Sequence, residues 1–115
     1  SAGPEERPEV RLLLDRFLDE APAGQAAVEA ALEDGDDDAL ATAVARLGGT
    51  AAHLGAAPLA RLCEDLDDRA RTGSVPAATA VRAALRRELT VTCRVLAALA
   101  GQLSGAAGRP VPPPG

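Results

Sequence analysis

Aliphatic residues recurring at alternating steps of three and four restrict this chain to helices. The longest such run is Val81, Leu85, Leu89, Thr92, Leu96, Leu99 and Leu103, a single stripe of about seven turns. Three earlier segments carry the same period. Val10, Leu13, Leu14, Phe17, Leu18 and Ala21 share one face, and Val28, Ala31 and Leu32 continue it in phase. Leu40, Val44, Leu47, Ala51 and Leu54 mark a second segment, and Leu59, Leu62, Cys63, Leu66 and Ala70 a third. No stretch alternates with period two between turn residues, so no sheet is expected. Amphipathic helices joined by loops of a few residues leave one architecture, an all-α antiparallel up-down four-helix bundle.

Proline and glycine punctuate these segments. Pro8 suits a first helical turn, where its missing N–H is not needed. Pro22 removes a bond to the carbonyl of Leu18, so the first helical region is expected to be kinked or split there and to finish near Asp34 and Gly35. Asp36, Asp37 and Asp38 suggest calcium, but the loop is too short and lacks the ligand spacing of an EF-hand. Capping and dipole compensation for the next helix account for them. The central helix should end at Gly55, with Pro58 in the first turn of the third helix, which stops at Thr72 and Gly73. The fourth is expected to start at Ser74 as N-cap, with Pro76 in its first turn. Residues 1–7 read as a disordered lead, 8–104 as the bundle, and 105–115 as a proline-rich tail or linker to further domains.

Composition narrows the function. A chain of 115 residues makes one domain able to bury a core without metal or disulfide support. Twelve basic against seventeen acidic residues give a net charge of −5, which disfavours nucleic acid and anionic membranes as partners. One Phe and no Trp or Tyr provide no platform for stacking bases. No apolar run approaches the roughly 20 residues that span a bilayer, and the N-terminus lacks the regions of a signal peptide, so a cytoplasmic location is expected. Cys63 and Cys93 fall on or beside apolar stripes and read as buried free thiols. With one His, no metal cluster and no nucleophile beside an evident base, neither a cofactor nor an enzyme activity is expected.

Residues 39–60 stand apart from the rest. Arg46 is the only permanent charge there, although a quarter of the chain is charged. Opposite the apolar stripe of this helix lie Ala41, Thr42, Ala45, Gly49, Ala52 and His53, where a solvated face would carry Lys and Glu. Gly48 and Gly49 sit in its middle, each costing roughly 1 kcal/mol relative to Ala. Close approach by another backbone offsets such a cost. The helix is therefore either buried all round or presents a smooth docking face. By contrast, the outer face of the third helix, from Arg61 to Arg71, reads as a solvated surface with pairs such as Asp65–Arg69.

The same helix resembles the motif of the histidine-containing phosphotransfer (HPt) domain, a four-helix module that passes phosphoryl groups between receiver domains. That motif reads His-x-Leu-Lys-Gly-Ser-Ser, three variable residues, then Gly-Ala. Leu47, Gly49, Thr50, Gly55 and Ala56 fall on its Leu, Gly, first Ser and closing Gly-Ala. The first helical region and the stretch from Leu59 to Gly73 are similar to the family as well. By this resemblance the phosphoacceptor position is Ala45 and the lysine position is Gly48, so the implied member is degenerate. A methyl group has no lone pair to attack phosphorus. The resemblance implies a signalling domain that binds a response-regulator receiver or a histidine kinase without accepting phosphate. The implied partner-binding residues are Ala41, Thr42, Ala45, Arg46, Gly48, Gly49, Ala52 and His53. Two other functions fit the same residues. His53 could act as the acceptor, although it lies about 80° round and roughly 12 Å along the helix from Ala45. The small-residue face could instead pack against its own copy in a homodimer.

Overall fold

A computed structural model of the chain describes residues 8–108, with the side-chain environment of residues 9–102. Its four helices are α1 (Pro8–Asp34), α2 (Asp37–His53), α3 (Ala57–Thr72) and α4 (Ala78–Gly108). Each packs against its neighbours in sequence, and α1 closes the ring by packing on α4. The result is an antiparallel four-helix bundle. Its closest helix packing lies between α2 and α3, whereas α3 and α4 approach each other less.

Three glycines turn the chain. Gly35, Gly55 and Gly73 have φ of 65°, 77° and 70°, a region that costs L residues but not glycine. After the first, the Asp36 carboxylate accepts from the Ala39 backbone N–H at 3.0 Å, with Asp37 and Asp38 in the first turn of α2. The acidic run therefore caps the helix and meets its positive end. Pro22 does not divide the first region. It sits exposed inside one helix, α1, whose stripe of Phe17, Ala21, Val28 and Ala31 is buried on both sides of it. An in-phase apolar face on either side outweighs the roughly 3 kcal/mol that a mid-helix proline costs.

Two expectations about α4 fail. Ser74 does not cap it: its hydroxyl pairs with that of Thr72 at 2.8 Å, and its N–H donates back to the carbonyl of Arg69 at 2.8 Å. Ser74 thus closes α3. Pro76 also biases Val75 away from helical torsions, and α4 begins only at Ala78. At its other end α4 continues to Gly108, so residues 105–108, expected in the tail, belong to the helix. Leu103, the last member of the expected stripe, lies outside the described side-chain environments.

The core is aliphatic, with Leu14, Phe17, Val28, Leu40, Leu59 and Leu85 almost fully enclosed. Within the α4 stripe, Val81, Leu85, Leu89, Thr92 and Leu96 are buried, but Leu99 is 43% exposed and Ala100 is buried in its place. The lengths of the helices explain the change. Helix α4 is far longer than α2 and α3, so its C-terminal part packs against fewer neighbours, and there Ala100 rather than Leu99 is buried. Leu96→Ala should therefore cost about 2–4 kcal/mol and Leu99→Ala less than about 1 kcal/mol, read from urea midpoints at constant m.

Candidate functional site

Helix α2 buries Leu40, Val44, Leu47, Gly48 and Ala51. Taking Ala45 as the centre of the opposite side, Ala52, Gly49, Thr42, His53 and Arg46 fall within about 100° of it, and all six are exposed. They form a ridge that no other helix covers. The Thr42 hydroxyl donates to the Asp38 carbonyl at 3.1 Å, so it is satisfied within its own helix. Only Arg46 and His53, at one edge and at the C-terminal end, offer polar groups outward. His53 lies in the last turn, two turns from Ala45, so the two do not form one site.

The adjacent glycines serve different purposes. A Cβ on Gly48 would stand 2.7 Å from the Cβ of Cys63 on α3, closer than carbon atoms pack, so glycine is what lets α2 and α3 meet. Around a Cβ on Gly49 nothing lies within 4 Å. Two of the eight expected partner-binding residues thus lie off the exposed ridge. Gly48 is buried against α3, at the bottom of the groove beside the ridge, and Ala41 is half-buried on the same flank. Residue 48 sits about 60° from residue 45 on a helix, and that is the side on which α3 packs.

A hollow flanks the ridge on each side. Towards α1 lies one of about 170 Å³ over Phe17, Gly24 and Leu47, with Glu20 and Arg46 at its edge. Towards α3 lies one of about 270 Å³, floored by Val44, Gly48 and Cys63, edged by Ala45, Gly49, Ala52 and Ala60, and walled by Glu64 and Asp67. The Cys63 thiol is buried, and desolvation pushes its pKa up to about 11, so it stays neutral beneath the hollow. Asp67 accepts from Arg71 at 2.9 Å and Asp65 from Arg69 at 2.9 Å. Glu64 makes no ion pair among the described residues.

The α3 residues around this hollow were not among the expected site residues. Their signal lay in the short turn at residues 54–56, which pairs positions of α2 and α3 whose numbers sum to about 111 or 112. By that rule Gly48 meets Cys63, and Ala45 lies level with Asp67.

A family model described as Hpt domain matches residues 12–94. The chain belongs to the Hpt family. Hpt domains are carriers that exchange phosphoryl groups with receiver domains and histidine kinases in phosphorelay signalling. The match takes in α2, α3 and their ridge, and it stops at Arg94, shortly before α4 leaves the bundle. No curated protein and no solved structure matches the chain. Among the described residues no helix is long and apolar enough to cross a membrane, and no group of three or more His, Cys, Asp or Glu could hold a metal ion.

Opposite outcomes are expected at the two glycines. Gly49→Ala should stabilise the Hpt domain by about 0.5–1 kcal/mol through helix propensity. Gly48→Ala should destabilise it by about 1 kcal/mol net, because overpacking against Cys63 exceeds the same propensity gain. Chemical denaturation of both variants checks this.

The thiol gives a test by pH. Its pKa is raised in the folded state, so the folded chain holds the proton more tightly. The associated stability is full below 9.0 and falls as pH rises towards about 11. The slope due to Cys63 should reach about 1.4 kcal/mol per pH unit in that window. Cys93 shifts in the same direction by burial, so the part belonging to Cys63 is what Cys63→Ala removes from stability measured between those pH values.

Proposed function

We propose that this Hpt domain engages a receiver or histidine kinase domain in the cytoplasm through the outer ridge of α2, and does so without accepting a phosphoryl group. Gly49 carries the proposal. A glycine in the middle of α2 costs roughly 1 kcal/mol against alanine, and here no internal contact calls for it. Close approach by a second molecule does. The ridge around it is exposed and nearly free of charge in a chain of net charge −5, as suits a surface meant to be covered rather than solvated.

The absence of transfer follows from Ala45. It occupies the centre of the ridge, where the family motif places its histidine, and a methyl group can neither attack phosphorus nor hold the transferred group. Arg46 remains at the ridge edge as the only permanent cation of α2. Binding without chemistry makes the module a competitor or scaffold for its partner.

The test uses receiver domains encoded in the same genome, with affinity read by calorimetry and phosphoryl transfer by labelling. At least one receiver should bind, and Gly49→Arg should weaken it about a hundredfold while helical circular dichroism is retained. Unchanged affinity would remove the docking surface. No acid-labile phosphohistidine should form. Label that appears on the wild type and disappears in His53→Ala would instead make His53 a working acceptor. Sedimentation of the chain alone covers the remaining case, in which a dimer dissolved by Gly49→Arg would assign the ridge to a second copy.

A further inference from the structure

The apolar hollow between α2 and α3 has a specific electrostatic character, and the geometry points to its occupant as one cationic side chain, an arginine or lysine, projecting from the protein docked on the ridge. This rests on the docking proposed above and names the chemistry it requires of the partner. The hollow opens on the ridge itself, at Ala45 and Gly49. Its volume of about 270 Å³ leaves room for one inserted side chain.

Charge selects among side chains. Glu64 and Asp67 wall the hollow, and no basic residue lines it. Asp67 already pairs with Arg71, and its side chain is only 21% exposed, whereas Glu64 has no partner among the described residues. Beneath them the Cys63 thiol stays uncharged at neutral pH and offers no competing ion. An aliphatic stem can therefore lie along Ala45, Gly48 and Ala60 while its charged head reaches Glu64, the way long basic side chains divide their apolar and polar parts. An aspartate or glutamate inserted there would meet two like charges instead. The hollow towards α1 makes no such choice, since Glu20 and Arg46 on its edge balance one another.

Two readouts separate this inference from the docking it rests on. In the first, the isotope-labelled domain is titrated with N-acetyl-arginine amide, and with its neutral isostere N-acetyl-citrulline amide, while backbone amide shifts are followed. Saturable shifts at Gly48, Gly49, Cys63 and Glu64 are expected with the arginine compound alone, and Glu64→Lys should abolish them. Equal shifts with citrulline, shifts no larger here than at Asp36 to Asp38, or no shifts at all would overturn the inference.

In the second, a receiver that binds the wild type is tested against Glu64→Lys and Glu64→Gln. The first should weaken binding about tenfold or more, and the second should weaken it severalfold and flatten its dependence on salt. Glu64 is exposed and unpaired, so neither change threatens the fold. If Gly49→Arg blocks the receiver but both Glu64 variants bind as the wild type does, the hollow is not used and the docking surface stands. If the arginine compound titrates the hollow but Gly49→Arg leaves receiver affinity intact, the hollow stands and the docking surface falls.

Discussion

Where α2 crosses α3, the absence of one Cβ at Gly48 sets the geometry of this bundle. With Cys63 pressed against the Gly48 backbone, the two helices approach each other most closely in the structure, and the short turn at Gly55 holds them in register. Everything proposed for the site follows from that approach. It fixes which side of α2 faces α3, and so which side is left outward. It draws the α3 carboxylates of Glu64 and Asp67 to the edge of the ridge. It also closes the position that the HPt motif gives to lysine. A side chain at residue 48 would bring its Cβ to 2.7 Å from that of Cys63, so α3 would have to give way to admit one. Ala45 differs. It is exposed, and a larger side chain there would project into solvent without disturbing the fold.

The surface chemistry is divided between elements. Helix α3 carries its charges as i,i+4 pairs, Asp65 with Arg69 and Asp67 with Arg71, whose guanidinium groups face solvent, so they add little to stability. Glu29 on α1 stands 3.9 Å from both Arg82 and Arg86 on α4, which orients those helices more than it stabilises them. Stability comes from the aliphatic core, and none of the ridge residues of α2 contributes to it. The ridge is thus free to be shaped by contact with another molecule, which is where a costly glycine such as Gly49 can persist.

Much of this was legible in the sequence because period and punctuation are local properties. The stripe of α2, the cap at Asp36 and the stops at Gly35, Gly55 and Gly73 each depend on a few adjacent residues, and each lies where the spacing places it. What the sequence obscured depends on where a neighbour is. A helical wheel gives the phase of Gly48 but not that α3 packs on its flank. It gives the phase of Leu99 but not that α4 has fewer neighbours there. Ser74 and Pro76 make a sound helix start by local rules, yet the closing of α3 claims the Ser74 hydroxyl, and α4 starts only at Ala78. The candidate site was read in the same partial way. The exposed members of the ridge came from α2 alone, whereas its acidic wall came from α3 and needed the register between the two.

A phosphotransfer domain with its acceptor alternates between two charge states at the centre of its docking face, and its partners can tell them apart. If, as proposed, Ala45 stands at that centre in place of an acceptor, there is only one state. Affinity for a partner is then set by shape and by fixed charge, namely the methyl and glycine surface, Arg46 and the carboxylate of Glu64. None of these changes when a phosphoryl group arrives elsewhere in the pathway. A ligand can shift an equilibrium only by as much as its affinity differs between the two states it meets. On the proposed reading, regulation through this chain originates in the partner, whose phosphorylated and unphosphorylated forms differ in the surface they bring to the ridge.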